Sequence, residues 1–420
     1  MEVRFLGGAG EVGRSALLVD DRLLLDFGVK TGTPTTYPLG LRSVDPEAVV
    51  VSHAHLDHAG ALPTLMGAPD AEERPEVHWT PPTDELARLL ARDTLRLADG
   101  YDCPFTAEDV RRLMEQSVHH GYREPFEAAG HRVEFLDAGH VPGSTHVLVD
   151  EGPADTEGDT RLLYTADFNT EDQRLLAGTT ARPDADAVAV ESTYAFDERP
   201  PREEIETAFV TRVRRTLRQG GTVIVPAFAV GRTQEMMAVC ARAGVDCYVD
   251  GMGTRVTDLF RRHRDFLRDP DALDAAASNA RTVDGRPGQR ERIAEQSTVV
   301  ITTSGMLQGG PAMTYVPAVR SNPANLVALS GYQVEDTPGR DLLETGSAEI
   351  DGRRMPVAAQ VEAFDFSAHA DRSGLLAFLD DYREATVLVN HGDRCEAFAA
   401  DRREAGFDAR APDRGETVTV

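Results

Sequence analysis

The densest chemistry in the chain is His53-Ala54-His55-Leu56-Asp57-His58, directly after the apolar run at 49–51. In an extended segment residues two apart point the same way, so His53 and His55 can grip one ion while the following turn presents Asp57 and His58 to another. A cluster of four ligand-type residues at the end of a buried strand favours a metal site over a solvated histidine-rich loop. Other residues repeat this placement. His140 follows 133–139, Asp167 follows 161–166, Glu191 follows 187–190 and His391 follows 385–390. Open α/β sheets bind ligands outside the carboxyl ends of their strands. A single His or Asp there is ordinarily a turn residue or a helix cap, so the signal lies in the convergence. His53, His55, His58, His140, His369 and His391 join this pattern. His78, His119, His120, His131, His146 and His263 read as structural or surface residues.

The elements that must position these groups follow from periodicity. Short apolar runs at 23–27, 48–52, 133–136, 147–149, 161–165 and 187–190 read as buried strands. Apolar residues at helical spacing predict helices over 83–99 and 107–119, packing elements rather than a partner site. Residues 155–159 read as a polar turn between strands. Asp-Glu-Arg-Pro-Pro-Arg at 197–202 breaks the pattern, and helices and strands then alternate in a fresh register. A helix over 202–219, a strand over 222–226, a helix from Thr233 and strands at 247–249, 298–302 and 326–330 make an open parallel sheet with crossovers. A strand over 357–366, a helix over 374–381 and a strand over 385–390 follow. The expected domains are therefore 1–195, an insert over 196–352 and a returning segment over 353–420.

Composition bounds the rest. The 420 residues exceed a single core and fit two domains. Apolar content of 41% with no run near the ~20 residues of a membrane span predicts a soluble chain without a membrane partner. The N-terminus enters a strand by Val3 with no secretory pattern, and Cys103, Cys240, Cys247 and Cys395 form no CxxC pair. Both point to a cytoplasmic protein with reduced, mostly buried thiols. The 70 acidic residues outnumber 44 basic ones, for a net charge of −26, and Lys30 is the one lysine. Such a balance is expected of a halophilic protein, because surface carboxylates hold water and counter-ions while salt screens their repulsion.

The ordered set Asp26, His53-x-His55-x-Asp57-His58, His140, Asp167, Glu191, His369 and His391 resembles the β-CASP group of metallo-β-lactamase-fold nucleases. Flanking stretches agree: GGAGEVGRS at 7–15, VESTY at 190–194, PAFAVGRTQE at 226–235, TSGMLQGGP at 303–311, LSGYQ at 329–333, FSAHAD at 366–371 and NHGD at 390–393. The resemblance spans almost the whole chain. It is nearest to archaeal homologues of the endonuclease subunit of the cleavage and polyadenylation specificity factor, and more distant from RNase J. With a first strand by Val3, the KH modules that precede the hydrolase in some archaeal relatives are not expected here.

The resemblance implies an α/β protein: a metallo-β-lactamase fold (αββα sandwich) with an inserted β-CASP α/β domain and the active site in the cleft between them. His53, His55 and His140 would hold one metal, Asp57, His58 and His391 the other, and Asp167 would bridge. Two zinc ions suit these nitrogen and oxygen donors, with manganese as the alternative. Asp57 could also orient the attacking water, and Asp26 would steady the ligands without touching metal. His369, oriented by Glu191, would protonate the leaving oxygen as RNA is hydrolysed to a 5′-phosphate and a 3′-hydroxyl. Cutting internally or from the 5′ end is equally compatible. Arg232, Ser304 and Gly305 are candidate phosphate contacts, with an ion pair and a tight turn as their structural readings. Besides RNA, the expected partners are a second copy of the chain or an RNA-processing complex. The six-residue histidine motif alone also fits a hydrolase of small thioesters or esters, and a non-catalytic scaffold subunit is the remaining alternative.

Overall fold

A computed structural model describes residues 1–32, 34–67, 74–98, 103–152 and 160–420, and the chain divides into two compact units. The first contains 1–171, 178–198 and 369–420; the second contains 172–177 and 199–368. Among the described residues no helix is long and apolar enough to cross a membrane.

Two seven-stranded sheets build the first unit. One runs Thr417–Thr419, Glu2–Gly7, Ala16–Val19, Leu23–Leu25, Ala48–Val50, Glu76–Trp79, Ser117–His119. The other runs Asp408–Arg410, Thr386–Asn390, Ala187–Glu191, Arg161–Tyr164, Thr145–Asp150, His131–Asp137, Phe126–Ala128. Successive side chains of a strand point to opposite faces. Leu162, Tyr164, Ala187 and Ala189 therefore join Phe5, Leu17, Leu23 and Val50 in the core between the sheets. Leu163, Val188, Val190, Val387 and Val389 turn outward onto Phe378, Leu379 and Phe398 of the helices Arg372–Leu379 and Cys395–Glu404. Strands buried on both faces are the reason these runs are continuously apolar in the sequence.

The second unit holds a six-stranded parallel sheet in the order Ala280–Thr282, Cys247–Asp250, Val299–Thr302, Val223–Pro226, Leu326–Leu329, Gln360–Ala363. Val223, Val299 and Leu326 face one core cluster, and Ile224, Val300 and Val327 face the other.

Several elements differ from their sequence reading. The helix expected over 107–119 ends at Glu115, and Ser117–His119 pairs in parallel with Glu76–Trp79. Trp79 Nε1–H donates to Ser117 Oγ and draws that segment onto the sheet. The strand expected over 357–366 is shortened to Gln360–Ala363, and the preceding Arg353–Pro356 pairs with Ser347–Ile350 instead. Because Gln360–Ala363 pairs with Leu326–Leu329, the chain remains in the second unit to Ala368 rather than leaving it at 352. The excursion 172–177 has a local cause: buried Glu235 accepts from the backbone N–H groups of Arg174 and Leu175, both at 2.9 Å, and from Arg202 at 2.7 Å. The turn expected over 155–159 and Asp99 lie outside the described residues. All four cysteines are free, and Cys240, Cys247 and Cys395 are buried.

His146 shows how tightly the first unit is closed. Its Nδ1–H donates to the Thr165 carbonyl at 2.9 Å, and the ring packs against Phe168 and Phe378. Burial holds its pKa down at about 4, from an ordinary 6.5. The unfolded chain then binds the proton that the fold excludes, so stability is complete above pH ~6.5 and declines as pH falls towards ~4. The expected loss is on the order of 3 kcal/mol in all, about 2 kcal/mol of it between pH 7 and 5. In urea titrations at fixed salt, His146→Leu should be less stable than wild type at pH 7, because the Thr165 carbonyl loses its donor. It should also show a visibly smaller fall in midpoint between pH 7 and 5.

Candidate metal centre

Every candidate ligand lies at or just beyond the end of an element of the first unit. Strands Leu23–Leu25 and Ala48–Val50 lead to Asp26 and to Ser52-His53, and the short helix Leu56–Ala59 carries Asp57 and His58. Arg161–Tyr164 leads to Asp167, Ala187–Glu191 ends on Glu191, and Thr386–Asn390 leads to His391. Asp26, Ala166 and His391 adopt left-handed backbone conformations, with φ of 57°, 46° and 46°. Such conformations cost a non-glycine residue about 1–3 kcal/mol and persist where the surroundings enforce them. Here they turn the chain abruptly at each strand end.

The side chains converge in three groups that share Asp167: His53, His55 and His140; Asp57, His58 and His391; and Glu191 with His369. Within each group the candidate ligand atoms lie within 4.8 Å of one another. Asp167 is 2% exposed and divides its two oxygens between the groups. Oδ2 lies 3.5 Å from His53 Nε2, 3.7 Å from His140 Nε2 and 3.9 Å from His369 Nε2. Oδ1 lies 3.3 Å from His58 Nε2 and 3.2 Å from His391 Nδ1. His55 Nδ1 sits 3.2 Å from His53 Nε2 and 3.1 Å from His140 Nε2, and Asp57 Oδ2 is 3.5 Å from His391 Nε2.

Asp26 sets the tautomers. It is fully buried, and its carboxylate accepts four hydrogen bonds: from Ser52 N and Oγ at 2.7 Å each, His58 Nδ1 at 2.7 Å and Tyr164 Oη at 2.8 Å. Because a carboxylate only accepts, His58 carries its proton on Nδ1 and aims Nε2 at Asp167. Ser52 Oγ, having donated to Asp26, accepts from His53 Nδ1 at 3.1 Å, so His53 also offers Nε2. Glu191 repeats the device: both of its oxygens lie 3.0–3.1 Å from His369 Nδ1, and Oε1 also accepts from Phe168 N at 2.8 Å.

Whether these residues fit metal ions is decided by their unmet capacity. His58 Nε2 and Asp167 Oδ1 are buried without a hydrogen bond, although fewer than about one buried polar group in ten lacks a partner. Burial, then the neighbouring charge of His58, holds His53 well below its ordinary pKa. Burial also disfavours charge on His58, yet Asp167 and Asp26 lift its pKa well above ordinary. Asp167 is held well below the usual carboxylate range by His391, His58 and His369, against the opposing effect of burial. Nitrogen and carboxylate donors facing inward, with protons that an arriving cation would release, fit two divalent metal sites.

All nine residues predicted as ligands or as orienting and acid groups, together with Asp26, are brought together. Arg232, Ser304 and Gly305 belong to the second unit and to none of the three groups. Ser304 Oγ accepts from Gln308 N at 2.9 Å, which supports the turn reading of that loop. The sequence reading missed Ser52, Tyr164 and Thr193, whose Oγ1 lies 3.3 Å from His391 Nδ1. It also missed Gly28, where a Cβ would fall 1.7 Å from the Asp57 carbonyl oxygen. Only the position of Ser52 beside His53 offered a local signal.

Comparison with known proteins agrees with this architecture. Residues 9–203 match the model of the metallo-beta-lactamase superfamily, 234–342 that of the Beta-Casp domain, and 354–412 that of the Zn-dependent metallo-hydrolase RNA specificity domain. The chain is 32% identical to the probable RNase MJ4 of Methanocaldococcus jannaschii, over the full length of both. It is 33% identical to RNase aCSPSF2 of Saccharolobus solfataricus, covering all of this chain and 85% of that protein. It is 31% identical to the transcription termination factor FttA of Methanocaldococcus jannaschii, covering 95% of this chain and 68% of that protein. A crystal structure of an Enterococcus faecalis protein shares the fold, with a TM-score of 0.62 at 13% identity, over 100% of this chain and 99% of that one. By sequence along its whole length and by its joined metallo-hydrolase and Beta-Casp domains, the chain belongs to the β-CASP family of the metallo-β-lactamase superfamily.

Proposed function

We propose that this protein is a metal-dependent ribonuclease that hydrolyses RNA phosphodiester bonds to a 5′-phosphate and a 3′-hydroxyl, using two zinc ions, with manganese as the alternative. The observation that carries the reading is the division of Asp167 between two three-residue ligand groups beside the Glu191–His369 pair. The names of two relatives that match all of this chain, both RNases, support RNA as the substrate.

His53, His55 and His140 would hold one ion, Asp57, His58 and His391 the other, and Asp167 both. When bound, such ions polarise phosphoryl oxygens and lower the pKa of water. The remaining work falls to side chains. Asp57, whose side chain is 31% exposed, can accept a hydrogen bond from the attacking water and align it with phosphorus. His369 is fixed through Nδ1 by Glu191, leaving Nε2 directed towards Asp167 and the phosphate position. As the bond between phosphorus and the 3′-oxygen breaks, Nε2 gives its proton to that oxygen and the Glu191 carboxylate stabilises the charged ring. Asp26 and Ser52 keep two of the ligands in the required tautomer throughout.

The reading is tested by metal analysis together with RNA cleavage. Chelation should abolish cleavage and zinc or manganese should restore it; thioester turnover without RNA cleavage would overturn the proposal. An internally labelled RNA with a blocked 5′ end decides the mode, since persistent cleavage means internal cutting and full protection means entry from the 5′ end. His369→Ala should lower turnover by about 10² to 10⁴-fold, the range of general acid catalysis, with metal content unchanged. Loss of both ions would assign His369 to the ligand set instead.

Gly28 gives a separate prediction. Any side chain there must displace the turn bearing Asp57 and His58. A shift near 1 Å typically costs about 10²-fold in rate, so Gly28→Ala should lose activity on that scale together with metal bound per chain, as read by elemental analysis.

A further inference from the structure

The strap 11–15 crosses directly beside the metal centre. Gly13 N–H donates to His391 Nε2 at 3.3 Å, Val12 N–H to Asp393 Oδ1 at 3.3 Å and Ser15 N–H to the Asp57 carbonyl at 2.8 Å. The first residue of this strap, Glu11, gathers three cations. Its carboxylate meets Arg14 Nε at 2.5 Å, Lys30 Nζ at 3.2 Å and Arg414 Nη1 at 3.7 Å. Lys30 lies against the strap itself, its Cβ and Cγ 3.0 Å from where a side chain on Gly13 would begin.

One carboxylate cannot neutralise three cations. Across the strap Asp393 Oδ1 accepts from Val12 N–H at 3.3 Å, and Asp413 adjoins Arg414 in the sequence. The three cations do not play equivalent parts. Arg14 is 14% exposed and also donates to the Tyr37 carbonyl at 3.0 Å, so it anchors the cluster from beneath. Lys30 and Arg414 have side chains 43% and 42% exposed. Arg14, Lys30 and Glu11 lie on segments hydrogen-bonded to the metal-bearing turn, with Val29 N–H donating to Leu56 O at 2.8 Å. In a chain of net charge −26, this gathering of three cations on one carboxylate contains the one lysine.

We propose that Lys30 and Arg414 form a phosphate-binding subsite that holds a phosphate of the RNA strand flanking the one being cut. The inference rests on the ribonuclease reading and adds to it a residue-level account of how an acidic protein grips a polyanion. The phosphate is either an internal diester or the terminal monophosphate at a 5′ end, and both present the same oxygens to an ammonium and a guanidinium. Glu11 holds the two cations apart and ready, so that little ordering is needed when RNA arrives.

The test uses the full chain with its metals and a single-stranded oligoribonucleotide carrying either a 5′-monophosphate or a 5′-hydroxyl. Lys30→Met and Arg414→Met should each lower kcat/KM about tenfold, carried by KM, as for loss of a charged hydrogen bond. Each should also flatten the slope of log(kcat/KM) against log salt by ~0.7, the single-strand value for one phosphate contact. Glu11→Gln removes the opposing charge and should lower KM, whereas a purely structural cluster would give a rise. An effect confined to the 5′-monophosphate substrate identifies the terminal phosphate, and equal effects on both substrates identify an internal one. Wild-type cleavage with unchanged KM and salt slope in both methionine variants overturns the subsite and leaves the ribonuclease reading intact. Loss of bound metal in those variants assigns the cluster to scaffolding and overturns it too. If metal-loaded wild type cleaves no RNA, the underlying reading fails.

Discussion

The carboxylate of Asp167 is the constraint around which the first unit is organised. An ionised group taken from water costs several kcal/mol unless charge and hydrogen bonds replace its hydration. Asp167 is almost wholly buried, and what replaces water is a ring of imidazoles, three towards one oxygen and two towards the other. Those rings come from residues 53, 58, 140, 369 and 391, spread over most of the chain. No local folding could assemble them. Two stacked sheets bring the ends of distant strands to one place, and the left-handed residues at positions 26, 166 and 391 turn the chain sharply there.

Two buried carboxylates a few residues' width apart receive opposite treatment. Asp26 is saturated, with four donors from Ser52, His58 and Tyr164. Asp167 keeps Oδ1 without a hydrogen bond. A fully satisfied network inside a protein is rigid, whereas an unsatisfied buried atom holds unspent interaction energy. The first arrangement fixes geometry and the second reserves capacity for a cation. Reversing the two would give a loose frame around a site with nothing left to offer. Glu191 belongs with Asp26 in this respect, since its oxygens are taken up by His369 and the Phe168 backbone.

This contrast also explains what the sequence made legible. Ligand types announce themselves by chemistry and by their place after apolar runs, so the residues that converge on Asp167 could be named in advance. Ser52, Tyr164 and Thr193 carry side chains common in any strand or loop, and their importance depends on partners that only folding supplies. Gly28 is invisible for another reason: its requirement comes from the approach of the Asp57 carbonyl, a contact across 29 residues. The compact second unit runs on to Ala368, past the start of the RNA specificity match at 354, for the same cause. Residues 353–368 contain strand-forming stretches that suit either unit, and the pairing of Gln360–Ala363 with Leu326–Leu329 decides which. The segment 172–177 is assigned by Glu235, some sixty residues away, and by nothing in its own composition.

Net charge poses the remaining physical question, because a chain at −26 repels RNA as a whole. That repulsion reaches about one Debye length, ~10 Å at 0.1 M salt and ~3 Å at 1 M. Direct contacts between a cation and a phosphate act at or below the shorter distance, so rising salt removes the global repulsion sooner than it removes local attraction. A broad basic surface would gain little in such a solvent, since long-range steering is what salt suppresses first. A few cations held close to the reaction centre retain more of their value. The concentration of Arg14, Lys30 and Arg414 on the carboxylate of Glu11, two residues before the Gly13 N–H that meets His391, is the arrangement this reasoning favours, with long-range attraction given up and short-range grip kept near the metal centre.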